Sequence, residues 1–320
     1  MKTLLIILIV LGVLLICIKL ISAAVCHRSL MAAAVELYFR VTGTKKVFED
    51  PEMDAKYIGQ RRHAKEYRLD KSTVKSDISE TAINGSLIYT LGNTGDPEYR
   101  IIYLHGGAYI NDPSIYHWKF CDKLARMINC EVTFPIYPLT PAHTWEETFG
   151  LVLKIYSGLT KNSGVPVIIM GDSAGGGLAA AFCEYLDKIG ISQPDKIILL
   201  SPWLDLTMSN PEAAKYEKAD PMLSAYGLIE MGKCWAGGLD PRDYRVSPIF
   251  GDISCLRNVY LFVGTREIFY PDVTEFYSML QNEGITSGLY VGKGMNHVYP
   301  LYPIPEANKA IGQICEIITE

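Results

Sequence analysis

Apolar and polar positions along the chain follow two rhythms. Short β-rich runs recur at Ile83 to Leu91, Tyr99 to Leu104, Glu131 to Tyr137, Val165 to Met170, Lys196 to Leu200, Val259 to Val263 and Thr286 to Val291. Between them lie stretches of helical period: about Trp145 to Leu159, the alanine-rich stretch after Ser173, about Pro271 to Glu283, and a terminal helix from about Ile304. Strands that alternate with helices in this way predict an α/β fold, a mostly parallel central sheet with helices on both faces. Gly92-Asn-Thr-Gly-Asp-Pro97 reads as a turn between the first two strands. Residues 27–70 carry a helical period at Leu30, Val35, Leu37, Tyr38 and Val41, then a charged piece from Gln60 to Glu66, predicting one or two amphipathic helices packed on a core elsewhere. Residues 207–250 break the rhythm without a clear strand and are expected to form a helical insertion over the sheet's carboxyl edge. No repeat or low-complexity linker divides residues 27–320, which read as one domain.

The amino terminus departs from this pattern. Thr3 to Ile18 is uncharged and apolar behind Lys2, and Leu20 to Cys26 extends it if Lys19 snorkels. Together they are long enough for one membrane span of roughly 20 residues. The expectation is an anchor at residues 1–26, a protein held on the membrane through residues 3–26. A cleaved signal peptide with Ser22-Ala23-Ala24 at its small-residue site is the alternative, disfavoured because Lys19 interrupts the transition to that site. The excess of Lys19, Arg28, Arg40, Lys45 and Lys46 on the carboxyl side hints at a cytoplasmic enzyme domain, although the side of the membrane is poorly determined.

Composition narrows the class further. A chain of 320 residues that is 49% hydrophobic and 20% charged is large enough for a substantial core. Its net charge of −5, with Lys and Arg scattered, points away from nucleic acid. Eight cysteines lack C-x-x-C spacing and read as reduced thiols rather than as disulfides or a metal site.

Candidate chemistry centres on Gly171-Asp172-Ser173-Ala174-Gly175, which joins a strand to a helix and fits the G-x-S-x-G nucleophile elbow. Such a turn exposes Ser173 Oγ at the sheet's carboxyl edge, and the following helix aims the Ala174 amide and a favourable dipole at the same spot. A second motif, His105-Gly106-Gly107-Ala108-Tyr109, ends the strand Ile101 to Leu104. Its paired glycines let backbone amides converge as an oxyanion hole requires. His105, directly before that nest, is expected to bond backbone and hold the loop's shape.

Of six histidines, His297 lies in a loop leaving the strand Leu289 to Val291, where it can deliver an imidazole to Ser173. Triads of this kind run Ser, acid, His, so the acid should lie between residues 173 and 297. Glu267 and Asp272 both follow the strand Val259 to Val263. Glu267, three residues past Gly264, is placed to reach His297. Asp272, after Pro271, is placed to cap the next helix, so that Asp272→Asn should cost about 1 kcal/mol. Asp205 is expected to fix its own turn.

The set HGGAY at 105–109, YPLTPAH at 137–143, GDSAGG at 171–176, SPWLDLT at 201–207, YRVSPIFGD at 244–252 and HVYPLYPIPEA at 297–307 resembles the hormone-sensitive-lipase-like branch of α/β-hydrolases over roughly residues 75–320. That resemblance implies an α/β-hydrolase fold with Ser173 as nucleophile, His297 as base, and the amides of Gly106, Gly107, Ala108 and Ala174 around the oxyanion. It further implies a helical cap contributed by about 27–70 and 207–250. Two positions depart from the family pattern: Ala108 stands where a third glycine is usual, and Glu267 where the triad Asp is usual.

The implied activity is a serine carboxylesterase that forms an acyl-enzyme on a small-molecule ester, with no metal or cofactor. Tyr216, Met222, Leu223, Tyr226 and Trp235 are available for an apolar cap, and short acyl chains are therefore expected. A same-fold amidase or peptidase, and a non-catalytic ligand-binding protein, are the alternatives. The presence of Ser, His and a carboxylate together argues against the second.

Overall fold

The computed structural model describes residues 27–62, 66–92, 95–161 and 164–320. Eight strands form one sheet: β1 (Ile78–Ile83), β2 (Ser86–Leu91), β3 (Tyr99–Leu104), β4 (Cys130–Pro135), β5 (Val167–Asp172), β6 (Lys196–Leu200), β7 (Val259–Gly264) and β8 (Ser287–Gly292). Their order is β1-β2-β4-β3-β5-β6-β7-β8. From β4 to β8 every pairing is parallel, and β1–β2 and β2–β4 are antiparallel.

Strand period sorts the core into two layers. Ile102, Leu104, Val167, Ile169, Ile197 and Leu199 face one side, and Ile101, Tyr103, Ile168, Met170, Ile198 and Leu200 face the other. The first layer is covered by α5 (Trp145–Thr160), α6 (Ala174–Lys188) and α9 (Tyr270–Asn282), through residues such as Phe149, Phe182 and Phe276. The second is covered by α4 (Ile115–Met127) and α10 (Pro305–Thr319), through Trp118, Leu124, Ile311 and Ile314. Being buried on both faces explains why the central strands read as continuous apolar runs.

Two local readings differ from the sequence expectation. Ile83 to Leu91 is not one strand: Asn84 and Gly85, with φ of 53° and 85°, turn a two-residue hairpin from β1 into β2. The segment after Leu91 is accordingly a crossover into β3, because β4 lies between β2 and β3. Helix α4 was not foreseen, since its inward face carries the polar His117 and Asp122 beside Trp118, Cys121 and Leu124 and so masks the period.

Residues 27–70 supply three helices rather than one or two: α1 (Leu30–Thr42), the short α2 (Lys46–Glu49) and α3 (Pro51–Arg61). Residues 207–250 contain α7 (Ala213–Glu217), α8 (Ala225–Ala236) and a 3-10 turn at Pro248–Phe250. Helix α8 packs closely on α2, where a Cβ at Gly227 would lie 2.5 Å from Phe48 Cα.

The expected membrane anchor, and with it a membrane-held location and orientation, is corrected. The segment 1–26 that carried it lies outside the described residues. Among the described residues no helix is long and apolar enough to cross a membrane. The longest, α5, has 16 residues, about 24 Å against a hydrocarbon core of about 30 Å, and it turns its apolar face to the sheet. Cys121, Cys130 and Cys183 are buried free thiols; Cys234, Cys255 and Cys315 are free and partly exposed.

Candidate active site

Strand β3 has β4 on one side and β5 on the other, so the strand order reverses at its carboxyl end and opens a crevice there. Leu104 pairs level with Gly171, which brings the loops after β3 and β5 side by side. At the tip of the second, Ser173 has φ 52° and ψ −121° immediately before α6 begins at Ala174. A non-glycine residue in that conformation is strained and must be held by its surroundings. The Ser173 amide donates to Leu200 O at 2.8 Å, and the Trp203 amide donates to Ser173 O at 2.9 Å. Gly175 allows the close approach: a Cβ there would sit 2.0 Å from Leu104 O.

His297 Nε2 lies 2.8 Å from Ser173 Oγ, and its Nδ1 lies 2.6 Å from Glu267 Oε2. Because Nδ1 faces a carboxylate it carries the proton, leaving Nε2 to accept from the serine hydroxyl. All three side chains are buried. Burial alone would lower the His297 pKa, but the Glu267 hydrogen bond and charge, with the charges of Asp220 and Asp172, leave it raised above 6.5. The edge of Phe269 packs on the imidazole at 5.2 Å. Asp272 is not brought to this group. It is the third residue of α9, and neither of its buried oxygens takes a helix amide, so the expected cap is absent.

In the loop after β3, Gly107, Ala108 and Tyr109 have φ of 124°, 53° and 61°. Gly107 O accepts from the Ile110 and Asn111 amides at 3.1 and 2.9 Å, closing the turn. Gly106 differs from expectation: its N–H donates to Asp172 Oδ1 at 2.9 Å, so it braces the loop instead of facing an oxyanion. Gly107 and Ala108 line the cavity beside Ser173. His105 is neutral and structural, with burial and then the neighbouring His117 pushing its pKa down to about 3. Its Nδ1 donates to Gly106 O at 2.7 Å, its ring stacks on Tyr137 at 4.3 Å, and Tyr137 Oη donates to its carbonyl.

Several supporting residues were not singled out from the sequence. Asp172, the variable position of the elbow, accepts from Tyr103 Oη at 2.7 Å, the Gly106 amide and His117 Nε2 at 3.2 Å, tying β3, α4 and the elbow together. Asp220 is wholly buried and accepts from the amides of Met222, Leu223 and Ile268 at 2.8, 3.0 and 3.0 Å. Burial pushes its carboxyl up to about 6, against the His297 charge and those amides. Its signal was Asp220-Pro221, an aspartate opening a turn. Glu36 on α1 accepts from Arg266 at 3.1 and 2.9 Å, and from Arg40 at 2.8 Å. Although burial acts to raise it, Arg266, Arg28 and Arg40 hold that carboxyl down at about 2. Asp205 takes the amides and hydroxyls of Thr207 and Ser209, as expected of a turn residue.

A cavity of about 350 Å³ opens on Ser173 and His297. Tyr38, Phe39, Phe48, Met222, Leu223 and Leu301 give it an apolar wall, and Asn111, Asp112 and Ser114 a polar one. Of the five cap residues expected there, only Met222 and Leu223 line it. Tyr216 packs against Tyr270 at 5.2 Å, Tyr226 is exposed, and Trp235 stacks on Tyr109 at 4.1 Å. Among the described residues no group of three or more His, Cys, Asp or Glu side chains could hold a metal ion.

The fold has known counterparts. The profile of a family with the alpha/beta hydrolase fold matches residues 101–301. A protein named esterase from Acinetobacter venetianus is 30% identical over 224 residues, 68% of this chain and 74% of its own length. A triacylglycerol lipase from Mycobacterium tuberculosis is 34% identical over 204 residues, 62% of this chain and 41% of its own. A solved structure of a candidate esterase from Staphylococcus aureus superposes with a TM-score of 0.82 at 32% identity, covering 87% of this chain and 96% of that one. EstE7, a hormone-sensitive-lipase homologue from a metagenome library, shares the fold with a TM-score of 0.75 at 24% identity, covering 90% and 97%. The chain belongs to the α/β-hydrolase family.

Proposed function

We propose that this carboxylic ester hydrolase cleaves short-acyl esters through a Ser173–His297–Glu267 triad and a covalent acyl-enzyme. The observation that supports it most directly is the unbroken hydrogen-bonded chain from Ser173 Oγ through both imidazole nitrogens to Glu267 Oε2. His297 Nε2 removes the hydroxyl proton as Ser173 Oγ attacks the ester carbonyl. The amides of Gly107, Ala108 and Ala174 receive the developing oxyanion, with the amino-terminal dipole of α6 adding to them. Glu267 holds the imidazole in the tautomer that accepts at Nε2 and stabilises the imidazolium that forms. That imidazolium then protonates the departing alcohol, and water repeats the sequence on the acyl-enzyme.

Helices α1 and α2 with the segment 207–250 act as the cap. Through Phe39, Phe48, Met222 and Leu223 they roof the cavity, whose modest volume and apolar wall suit acyl chains of about two to eight carbons.

The test is covalent labelling. A fluorophosphonate should add once, at Ser173, and Ser173→Ala should abolish the adduct and lower ester turnover by several powers of ten. Labelling that persists in the alanine variant would refute the assignment.

A further inference from the structure

Ser201 follows the last residue of β6, is wholly buried and has φ of 48°. That backbone conformation favours glycine, so the serine carries a steric penalty that its hydroxyl must offset. Its amide donates to Phe262 O at 2.7 Å, which fixes the residue against β7. Its Oγ accepts from the Val298 amide at 3.0 Å and lies 2.8 Å from Glu267 Oε1. A hydroxyl has one proton, and the Val298 N–H can only donate, so the serine proton goes to the carboxylate.

The consequences reach three loops that are distant in sequence. Glu267 Oε1 is occupied by the Ser201 hydroxyl and the Gly264 amide, which leaves Oε2 turned to His297 Nδ1. Val298, next to the imidazole, is itself left-handed at φ 50° and ψ 36°, a rare conformation for a β-branched residue. The Ser201 hydroxyl satisfies its buried amide.

We infer that Ser201 is a positioning residue, whose one hydroxyl both selects the Glu267 oxygen that faces the imidazole and clamps the backbone that carries His297. This rests on the triad reading above. The residue touches no reacting atom; it acts through Glu267 and His297.

The inference is tested with Ser201→Ala and Ser201→Gly, the glycine variant removing the hydroxyl while relieving the positive φ. Both should fold, and both should lower kcat about 10- to 100-fold with KM within about twofold, the scale expected when a catalytic group is misplaced slightly. The pH profile adds a sign. Glu267, having lost a donor, holds the imidazolium proton more tightly, so the acid limb of kcat/KM moves to higher pH. The groups facing His297 that set this limb are Glu267, Asp220 and Asp172. Ser201→Thr, which keeps the hydroxyl, should recover more kcat per folded molecule than either other variant.

Activity that falls only in proportion to the folded fraction by circular dichroism, with the acid limb unmoved, would make Ser201 merely structural and overturn the inference. So would full kcat in the glycine variant. Failure of the triad reading would show separately, as wild-type protein that a fluorophosphonate does not label at Ser173.

Discussion

Replacing Asp272 by asparagine is expected to stabilise the protein above neutral pH, the opposite of what losing a helix cap would do. Asp272 sits in the first turn of α9 with both oxygens buried and no helix amide bonded to them. Burial, helped by the charges of Asp205 and Glu275 and opposed by the Asn210 amide, pushes its carboxyl from 3.8 up to about 7. The native state therefore binds this proton more tightly than the unfolded chain does. The stability it contributes is full below pH 3.8 and is lost as pH rises through 7. A rise of about three units would correspond to about 4 kcal/mol if none of it relaxed. The dipole of α9, which favours the ionised form, and local rearrangement bring the expected effect to about 1–3 kcal/mol. Asparagine has the same shape and no charge to bury. Urea unfolding at pH 8.5 should show the variant more stable by that amount, with a higher midpoint and an unchanged slope, and at pH 5, between the two pKa values, the difference should be smaller. Ester turnover should stay within about twofold at either pH. A variant destabilised by about 1 kcal/mol at both pH values would restore the cap reading, and a collapse of turnover would make Asp272 the triad acid.

Glu267→Gln should lower turnover about a thousandfold with circular dichroism unchanged. It should also move the acid limb of kcat/KM to lower pH, since the carboxylate is what raises His297 against its burial; retention of most activity would exclude Glu267. Dissolved butyrate esters should be hydrolysed faster than emulsified long-chain triglyceride, and the reverse order would remove the short-acyl assignment.

Periodicity made the parallel sheet and the elbow legible because both are local. Central strands buried on two faces must be apolar throughout, and a sharp strand-to-helix turn needs glycine around the exposed serine. The hairpin at Asn84-Gly85 was equally local, a strong two-residue turn signal hidden inside a run read as one strand. Helix α4 failed for the opposite reason: His117 and Asp122 point inward because Asp172 and the amides of Lys75 and Ser76 bond them, and no periodicity can anticipate such partners. The insertion at 207–250 was legible only as an interruption. Its five aromatic or apolar candidates looked equivalent in sequence, yet packing sends Trp235 to Tyr109 and Tyr216 to Tyr270, away from the cavity.

What the pattern could not reveal is how much converges on the loop after β7. Arg266 is held by Glu36 from α1, Glu267 by Ser201 from β6, and the Ile268 amide by Asp220 from the insertion. Three consecutive residues are thus tied to three segments far apart in the chain, two of which also furnish cavity wall through Phe39 and Met222. Glu267 lies between these ties: the Arg266 guanidinium before it is bonded to Glu36 of α1, and the Ile268 amide after it to Asp220 of the insertion. An ion pair at one end and a buried carboxylate at the other thus flank the residue whose Oε2 faces His297 Nδ1. Glu36 and Asp220 are the polar groups buried at these contacts, and neither the helical period of 27–70 nor the broken rhythm of 207–250 signalled that they point inward.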